Sequence, residues 1–190
     1  MYYSLKKFFI RKSFKTILIL PLVLTFIPFQ SNPANAGLEM QWDNNQNYKR
    51  LKWTQKNGAK RAKNKIFFFL RPSDRRTGFI KLNIKVPDNF KTKLKPEKIS
   101  LCRVNIGGFD SRTKCLEKIS TDIEINDKGK NIDIYPVKPV PSSKESYAVV
   151  FNVINPQRAG LYQFHSFSKS SGTIPVSSYL GSWTIKVDQY

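Results

Sequence analysis

Hydrophobic and polar residues alternate along much of the chain with the period of two that is typical of a half-buried β-strand. In FIKLNIKV (79–86), every second residue from Ile80 to Val86 is apolar, and lysine or asparagine stands between them. The segment ISTDIEI (119–125) alternates in the same way, and the turn-forming cluster DKG separates it from KNIDIYP (130–136). These last two segments are therefore predicted to pair as a β-hairpin.

Six further segments are predicted as strands from their apolar content. SYAVVFNVI (146–154) is apolar on both faces, which is typical of a buried central strand. The other five are NYKRLKW (47–53), KIFFFLR (65–71), ISLCRVNI (99–106), LYQFHSF (161–167) and LGSWTIKV (180–187). A short helical turn is predicted at GAKRAK (58–63). Short strands between turns rich in Pro, Gly and Ser predict an all-β fold, an antiparallel β-sandwich of about seven to nine strands.

The first 36 residues have the pattern of a secretory signal peptide. Residues 1–15 carry five basic residues and no acid, an apolar run follows from Thr16 to Phe29, and Ala34-Asn35-Ala36 matches an A-x-A cleavage pattern. The apolar run is shorter than the roughly 20 residues of a transmembrane helix, so cleavage between Ala36 and Gly37 is favoured over a retained anchor. The sequence therefore predicts an exported protein of the periplasm, the outer envelope or the thylakoid lumen.

The mature chain, residues 37–190, is long enough for a single domain, and no transmembrane segment is expected in it. The whole chain has a net charge of +20, of which the signal region contributes five, so the mature chain has +15. Residues 37–98 have 17 basic and 5 acidic residues, a net +12, whereas residues 99–190 have a net +3. The first half of the domain, beginning with the basic N-terminal segment 37–65, thus carries most of the charge.

Basic and aromatic residues are interleaved in this first half. The candidate binding residues are Tyr48, Lys49, Arg50, Lys52, Trp53, Lys60, Arg61, Lys63, Lys65, Arg71, Arg75 and Arg76. Such a set can bind nucleic acid, anionic lipid head groups or acidic polysaccharide. Because nucleic acid is rare outside the cytoplasm, an anionic lipid or polysaccharide of the envelope is the favoured partner. The alternative is a basic surface that is only solvated.

The two cysteines, Cys102 and Cys115, are predicted to form a disulfide, since an exported domain reaches an oxidising compartment. The alternatives are a metal pair and free thiols. A metal site needs more ligands than two cysteines and the single histidine supply, so neither a metal nor another cofactor is expected.

The candidates for catalysis are weak. His165, the only histidine, lies in a predicted strand without a neighbouring metal or triad partner, so it is predicted to be a wall residue of the sheet. Two S-x-x-K matches, Ser111 with Lys114 and Ser166 with Lys169, are the basis for the alternative of a serine-type hydrolase; the first lies between the two cysteines, and the second follows a strand. Neither match has the companion elements of serine acyl-enzymes, and a non-catalytic protein is favoured.

Four stretches of the mature chain resemble a known family. They are GLEMQWDNNQNYKRLKW (37–53), RPSDRRTGFIKLNIKVPDNF (71–90), IDIYPVKPVP (132–141) and NPQRAGLYQFHSFSKSSGTIPVSSYLGSWTIKV (155–187), and the last ends in a P…YLGSW signature. Together they resemble the cyanobacterial family called domain of unknown function 2808. The resemblance implies an exported envelope protein with a strand pattern similar to immunoglobulin-like domains. It implies no activity, substrate or catalytic residue, because the family is assigned none.

Overall fold

A computed structural model describes residues 49–108, 111–170 and 177–189, which belong to one compact unit spanning Asp43–Tyr190. The predicted signal peptide, its cleavage site and Tyr48 lie outside the described residues. Among the described residues, no helix is long and apolar enough to cross a membrane.

Ten β-strands account for most of the regular structure of the described residues. They are β1 (Trp53–Gln55), β2 (Lys63–Leu70), β3 (Phe79–Lys85), β4 (Ile99–Asn105), β5 (Lys114–Ile119), β6 (Thr121–Asn126), β7 (Asn131–Pro136), β8 (Tyr147–Ile154), β9 (Gly160–Ser170) and β10 (Ser177–Val187). The helical elements of the described chain are three short 3₁₀ turns, at Pro72–Asp74, Pro96–Lys98 and Asp127–Gly129.

The strands form two antiparallel five-stranded sheets. Sheet I has the order β1-β2-β8-β4-β5, and sheet II has the order β10-β9-β3-β7-β6. Immunoglobulin domains place strands A-B-E-D in one sheet and G-F-C in the other. The order β1-β2-β8-β4 follows the first arrangement and β10-β9-β3 follows the second, with β5 to β7 inserted between D and E. The protein is an immunoglobulin-like β-sandwich, as the resemblance implied.

The core lies between the two sheets, and its centre is aromatic. The ring of Phe68 on β2 lies 5.0 Å from the rings of both Phe151 and Phe164 and 4.9 Å from the ring of Trp183. The indole N–H of Trp183 donates a hydrogen bond of 3.1 Å to the carbonyl of Phe69, so its polar atom is satisfied inside the core. This cluster joins strands of sheet I to strands of sheet II.

Several strand predictions are confirmed. β6 and β7 form the predicted hairpin, with Thr121 paired to Pro136 and Asn126 to Asn131. β8 lies at the centre of sheet I, between β2 and β4, as its two apolar faces indicated. The Cys102–Cys115 disulfide is also present.

Other predictions are wrong in detail. β5 has no apolar alternation, because it is an edge strand with five exposed residues, and the sequence analysis missed it. A β-bulge after Phe79 places that ring in the core and leaves Ile80 half-buried, so Ile80 does not share the buried face. Residues 58–63 form no helix; Arg61 has a left-handed φ of 58° at the start of β2. The strand predicted at 47–53 is not formed as such: among its described residues, Arg50 makes an isolated β-bridge with Ser182, and β1 begins only at Trp53.

We expect the double variant Cys102→Ala/Cys115→Ala to lower the free energy of unfolding by about 3 kcal/mol, because the disulfide closes a short loop that the unfolded chain would otherwise open. The two cysteines are 13 positions apart and join the adjacent strands β4 and β5. Urea unfolding with and without dithiothreitol measures the loss. Reductant should destabilise the wild type and leave the double variant unchanged; equal stability of wild type and variant would contradict the expectation.

Candidate functional site

The outer face of sheet I carries a cluster of basic side chains. Because residues alternate along β2, Ile66, Phe68 and Leu70 enter the core while the residues between them face outward. Lys63 and Lys65 therefore lie on the outer face. They pair with Ile154 and Asn152 of β8, whose side chains are exposed on the same face.

A groove of about 760 Å³ crosses this end of the sheet, and we call it the basic groove. Its lining contains eight basic residues and neither an acidic nor an aromatic residue. The eight are Lys56, Arg61, Lys63, Lys65, Lys91, Lys93, Lys95 and Lys98. Cations gathered in a concave surface reinforce one another's potential, so the basic groove attracts anions.

The end of β8 forms the floor of the basic groove, with a basic wall on each side. Lys63 and Lys65 stand on the β2 side. On the other side, the segment 91–98 is held to β8 by two hydrogen bonds: Thr92 Oγ1 donates to the carbonyl of Ile154 at 3.0 Å, and the Asn152 amide donates to the carbonyl of Lys98 at 3.4 Å. Two segments distant in sequence thus place lysines around the same strand.

Two buried asparagines fix the turn that leads into β2. The amide of Asn64 donates to Asn155 Oδ1 at 3.0 Å, and its own Oδ1 accepts the backbone N–H of Asn57 at 3.0 Å. The Asn155 amide donates to the carbonyls of Asn57 at 3.0 Å and Ala59 at 2.8 Å. This network holds the turn that carries Arg61 against the groove floor. The sequence analysis missed both residues, although a buried position of β2 filled by a polar Asn64 is a local signal for such a network.

The basic groove gathers only part of the predicted binding set. Arg61, Lys63 and Lys65 line it, whereas Lys60 lies outside its lining and donates to Gln189 Oε1 at 3.3 Å. The predicted set omitted five of the lining cations, which are Lys56, Lys91, Lys93, Lys95 and Lys98. The last four come from the segment beside β8, and only the pairing of β2 with β8 and of β8 with β4 brings them close.

A second group of predicted residues lies along a different groove, of about 870 Å³, on the same face. Arg50, Lys52, Trp53 and Arg71 line it together with Phe67, Phe69 and Arg112. Trp53 is half-buried and packs against the main core, so its ring does not interleave with the lysines of the basic groove.

Two cations of the predicted set bind the 3₁₀ turn after β2. Arg71 makes two hydrogen bonds of 2.9 Å to the carboxylate of Asp74, which raises the pKa of Arg71. Lys49 donates to the carbonyls of Ser73 and Asp74 at 3.1 and 2.9 Å. Both side chains stabilise this turn, and neither lines the basic groove.

Arg75 has a structural role inside the fold. It is 5% exposed, and its guanidinium donates to the carbonyls of Leu70, Pro141 and Glu145 at 3.3, 2.7 and 2.8 Å. The guanidinium also lies over the ring of Tyr147, 4.8 Å from its centroid. Burial lowers the pKa of Arg75. We therefore leave Arg75 out of the binding surface, while its neighbour Arg76 is exposed.

His165 lies mid-strand in β9 and faces the outside of sheet II. Its Nδ1 is 2.7 Å from Ser182 Oγ, and that hydroxyl is also 2.6 Å from Tyr179 Oη. Burial, and secondarily the charge of Lys85, lowers the pKa of His165 below its ordinary 6.5. A Ser–His contact is one element of a nucleophilic site, but Ser182 is 0% exposed, so no substrate reaches its hydroxyl. The arrangement fits the prediction that His165 is a wall residue of the sheet without a catalytic role.

The S-x-x-K match of Ser166 with Lys169 lacks the geometry of a nucleophilic pair. Ser166 and Lys169 both lie within β9, not after a strand, and residues three apart in a strand point to opposite faces. Ser166 is buried, and its hydroxyl has no hydrogen-bond partner among the described residues. Ser111 accepts a hydrogen bond of 3.4 Å from the N–H of Gly108 in the disulfide loop. Within the described ranges, no three His, Cys, Asp or Glu side chains are placed to hold a metal ion.

The fold and the groove define the class of this protein. It is an immunoglobulin-like β-sandwich with one disulfide, Cys102–Cys115, and a strongly basic groove on one sheet. The chain belongs to the family described as "Protein of unknown function (DUF2808)", which matches residues 42–187. No curated protein matches the sequence.

Solved structures similar to this chain include three bacterial β-domains. BslA, a bacterial hydrophobin, has a TM-score of 0.49 and 16% identity, covering 74% of this chain and 92% of its own. The collagen-binding domain of a Staphylococcus aureus adhesin has a TM-score of 0.39 and 11% identity, covering 71% and 95%. An uncharacterised immunoglobulin-like protein from Nocardia farcinica has a TM-score of 0.38 and 8% identity, covering 73% and 97%. These likenesses concern the fold, and no binding property is transferred from them.

We expect Arg75→Met to lower the free energy of unfolding by about 3 kcal/mol, because it leaves three carbonyls without their charged donor. The adjacent Arg76→Met removes the same charge from an exposed side chain and should change stability by less than about 0.5 kcal/mol. Urea unfolding of the two variants makes the comparison. Equal losses would show that Arg75 does not act through its buried contacts.

The lowered pKa of His165 predicts a pH-dependent stability. The unfolded chain binds a proton near pH 6.5, whereas the folded chain resists protonation until lower pH. The contribution of the neutral imidazole is therefore fully present above pH 6.5 and is lost as the pH falls below it. Thermal unfolding between pH 8 and pH 5 should show a steeper loss for the wild type than for His165→Gln. An equal loss of thermal stability in the wild type and in His165→Gln would contradict the lowered pKa of His165.

Proposed function

We propose that this protein is a non-catalytic, exported β-sandwich module that binds an anionic component of the cell envelope through the basic groove. The observation that carries the proposal is the lining of that groove, with eight cations, no acid and two walls from separate parts of the chain. Residues 37–98 supply all eight of these cations and contain 5 acidic residues beside 17 basic ones, yet none of those acids that the structure describes lines the groove. The exclusion of acids from one concave surface favours an anionic ligand.

The predicted signal peptide and the disulfide support export. Disulfides persist in oxidising compartments outside the cytoplasm, and the Cys102–Cys115 bridge closes the loop between β4 and β5. An anionic ligand outside the cytoplasm is a lipid head group, a polysaccharide or, less commonly, nucleic acid. The basic groove provides charge recognition for such a ligand, and the described residues that line it include no His, Cys, Asp or Glu.

The groove lysines are free to meet a ligand. Among the described residues, the ion pair recorded for the eight cations joins Lys95 to Glu97, at 3.9 Å and with both side chains more than half exposed. Such an exposed pair is weak and exchanges readily for a stronger anion. The remaining seven cations have no carboxylate within ion-pair distance in the described chain.

The test is co-sedimentation of the full chain with isolated cell envelope over a series of salt concentrations. Charge-driven binding should weaken steadily as salt rises. Lys63→Glu/Lys65→Glu should weaken binding about tenfold or more, since each lysine near an anionic surface contributes about 1 kcal/mol. The matched control is Lys138→Glu/Lys144→Glu, which makes the same charge change at exposed positions before β8, at the end of that strand remote from the groove.

The control also corrects for the basic signal region, which is present in every variant. Binding that is absent at low salt, or that both double variants weaken equally, would overturn the proposal. Circular dichroism and thermal unfolding establish that each variant is folded before its binding is compared.

A further inference from the structure

Resting on the proposed function, we propose that the anionic component is a linear acidic polysaccharide, which lies along the end of β8 between the two basic walls of the basic groove. The inference names the class of ligand and follows from the shape of the groove, the distribution of its cations and the absence of rings from its lining. Each of these observations separates a polysaccharide chain from a nucleic acid or a bilayer.

The groove has the dimensions of a channel for one polymer chain. β2 and β4 are the two neighbours of β8, so their backbones lie about 10 Å apart across it. Lys63 and Lys65 rise on one side, two residues and therefore about 7 Å apart along the strand. Lys98, directly before β4, and the segment containing Lys93 and Lys95 rise on the other side. A chain lying in this channel meets cations from both sides.

The floor between the walls is neutral and polar. Asn152 is exposed there, with its amide donating to the Lys98 carbonyl. The exposed Gln157, whose Oε1 accepts a hydrogen bond of 3.3 Å from Arg61, lies at the same end of the groove. Side-chain amides both donate and accept hydrogen bonds, as sugar hydroxyls require, whereas the lysines match carboxylate or sulfate groups. The exposed side chain of Ile154 adds a small apolar surface to this floor. A polymer that alternates hydroxyls with anionic groups satisfies both kinds of position.

The groove is a poor match for single-stranded nucleic acid. Proteins hold single strands by stacking bases on aromatic rings, and no aromatic residue lines the basic groove. The nearest ring on the same strand is Phe67, which is 4% exposed and has the Lys65 ammonium 5.2 Å from its centroid. Of the two aromatic residues predicted from the sequence to accompany the lysines, Tyr48 lies outside the described residues and Trp53 packs against the core.

A bilayer surface also fits less well. Lipid head groups present a plane, which contacts the rims of a groove and leaves its floor empty. The floor at Asn152 then plays no part in binding to vesicles, whereas a polysaccharide chain inside the channel contacts it. This difference makes a charge-neutral change of the floor the sharpest test.

The experiment measures the Kd of the full chain for five probes: polygalacturonate, neutral dextran, phosphatidylglycerol vesicles, a single-stranded oligonucleotide and a duplex oligonucleotide. We expect salt-sensitive binding to polygalacturonate and none to dextran. Asn152→Trp fills the channel without changing the charge and should raise the Kd for polygalacturonate about tenfold or more. Val137→Trp, at a 74% exposed position before β8, is the control and should leave that Kd unchanged. Because Asn152→Trp also removes the hydrogen bond to the Lys98 carbonyl, Ile154→Trp, which keeps that bond, is the second channel-filling variant and should raise the Kd by a similar factor.

The outcomes separate this inference from the proposed function. Vesicle binding that depends on Lys63 and Lys65, without polygalacturonate binding, would overturn the inference of a polysaccharide ligand but would still support an anion-binding role for the basic groove. Binding of either oligonucleotide as tight as polygalacturonate binding, with both insensitive to channel filling, would reduce the site to charge alone and overturn the inference. Failure to bind polygalacturonate, vesicles, oligonucleotide and isolated envelope would overturn both proposals.

Discussion

The contact of Phe68 with Phe164 and Trp183 is the constraint on which the rest of this structure depends. It joins sheet I to sheet II through rings about 5 Å apart, and it fixes which face of β2 enters the core. Because side chains alternate in a strand, an inward Phe68 sends Lys63 and Lys65 outward. A slip of one residue would turn both lysines toward the core, at a free-energy cost that no surface contact could offset. The core packing therefore determines the position of the basic groove.

Charge is distributed unevenly over the two sheets. On the outer face of sheet II, Lys81 pairs with Asp133 at 3.1 Å, and Asn83 donates to the same carboxylate at 2.7 Å. At the far edge of sheet I, Arg103 is bound by Glu117 and Glu145. The basic groove has no comparable partners in the described chain. Its self-repulsion lowers stability, but the disulfide and the aromatic core offset that cost elsewhere, and the unbalanced potential remains available to a ligand.

Sequence reasoning succeeds here where the signal is local. Period-two alternation identified β6 and β7 and their hairpin, and the doubly apolar segment around Val150 indicated the centre of a sheet. It failed at β5, because an exposed edge strand has no core face to impose alternation on its residues. It failed at Ile80 because a bulge shifts the pleat by one residue, and nothing in FIKLNIKV distinguishes a bulged strand from a regular one.

The binding residues show the same contrast between local signals, which the sequence reveals, and tertiary contacts, which it does not. Counting basic residues located the charged half of the chain, but the count could not separate Arg75, which is bonded to buried carbonyls, from Arg76, which is exposed. That distinction depends on Pro141 and Glu145, some 70 residues away, whose carbonyls receive the guanidinium. Likewise, Lys98 joins Lys65 only because β8 pairs with both β2 and β4. A cation's role in this protein is set by the strand that passes beside it, so charge in a sequence predicts a surface only after the sheet order is known.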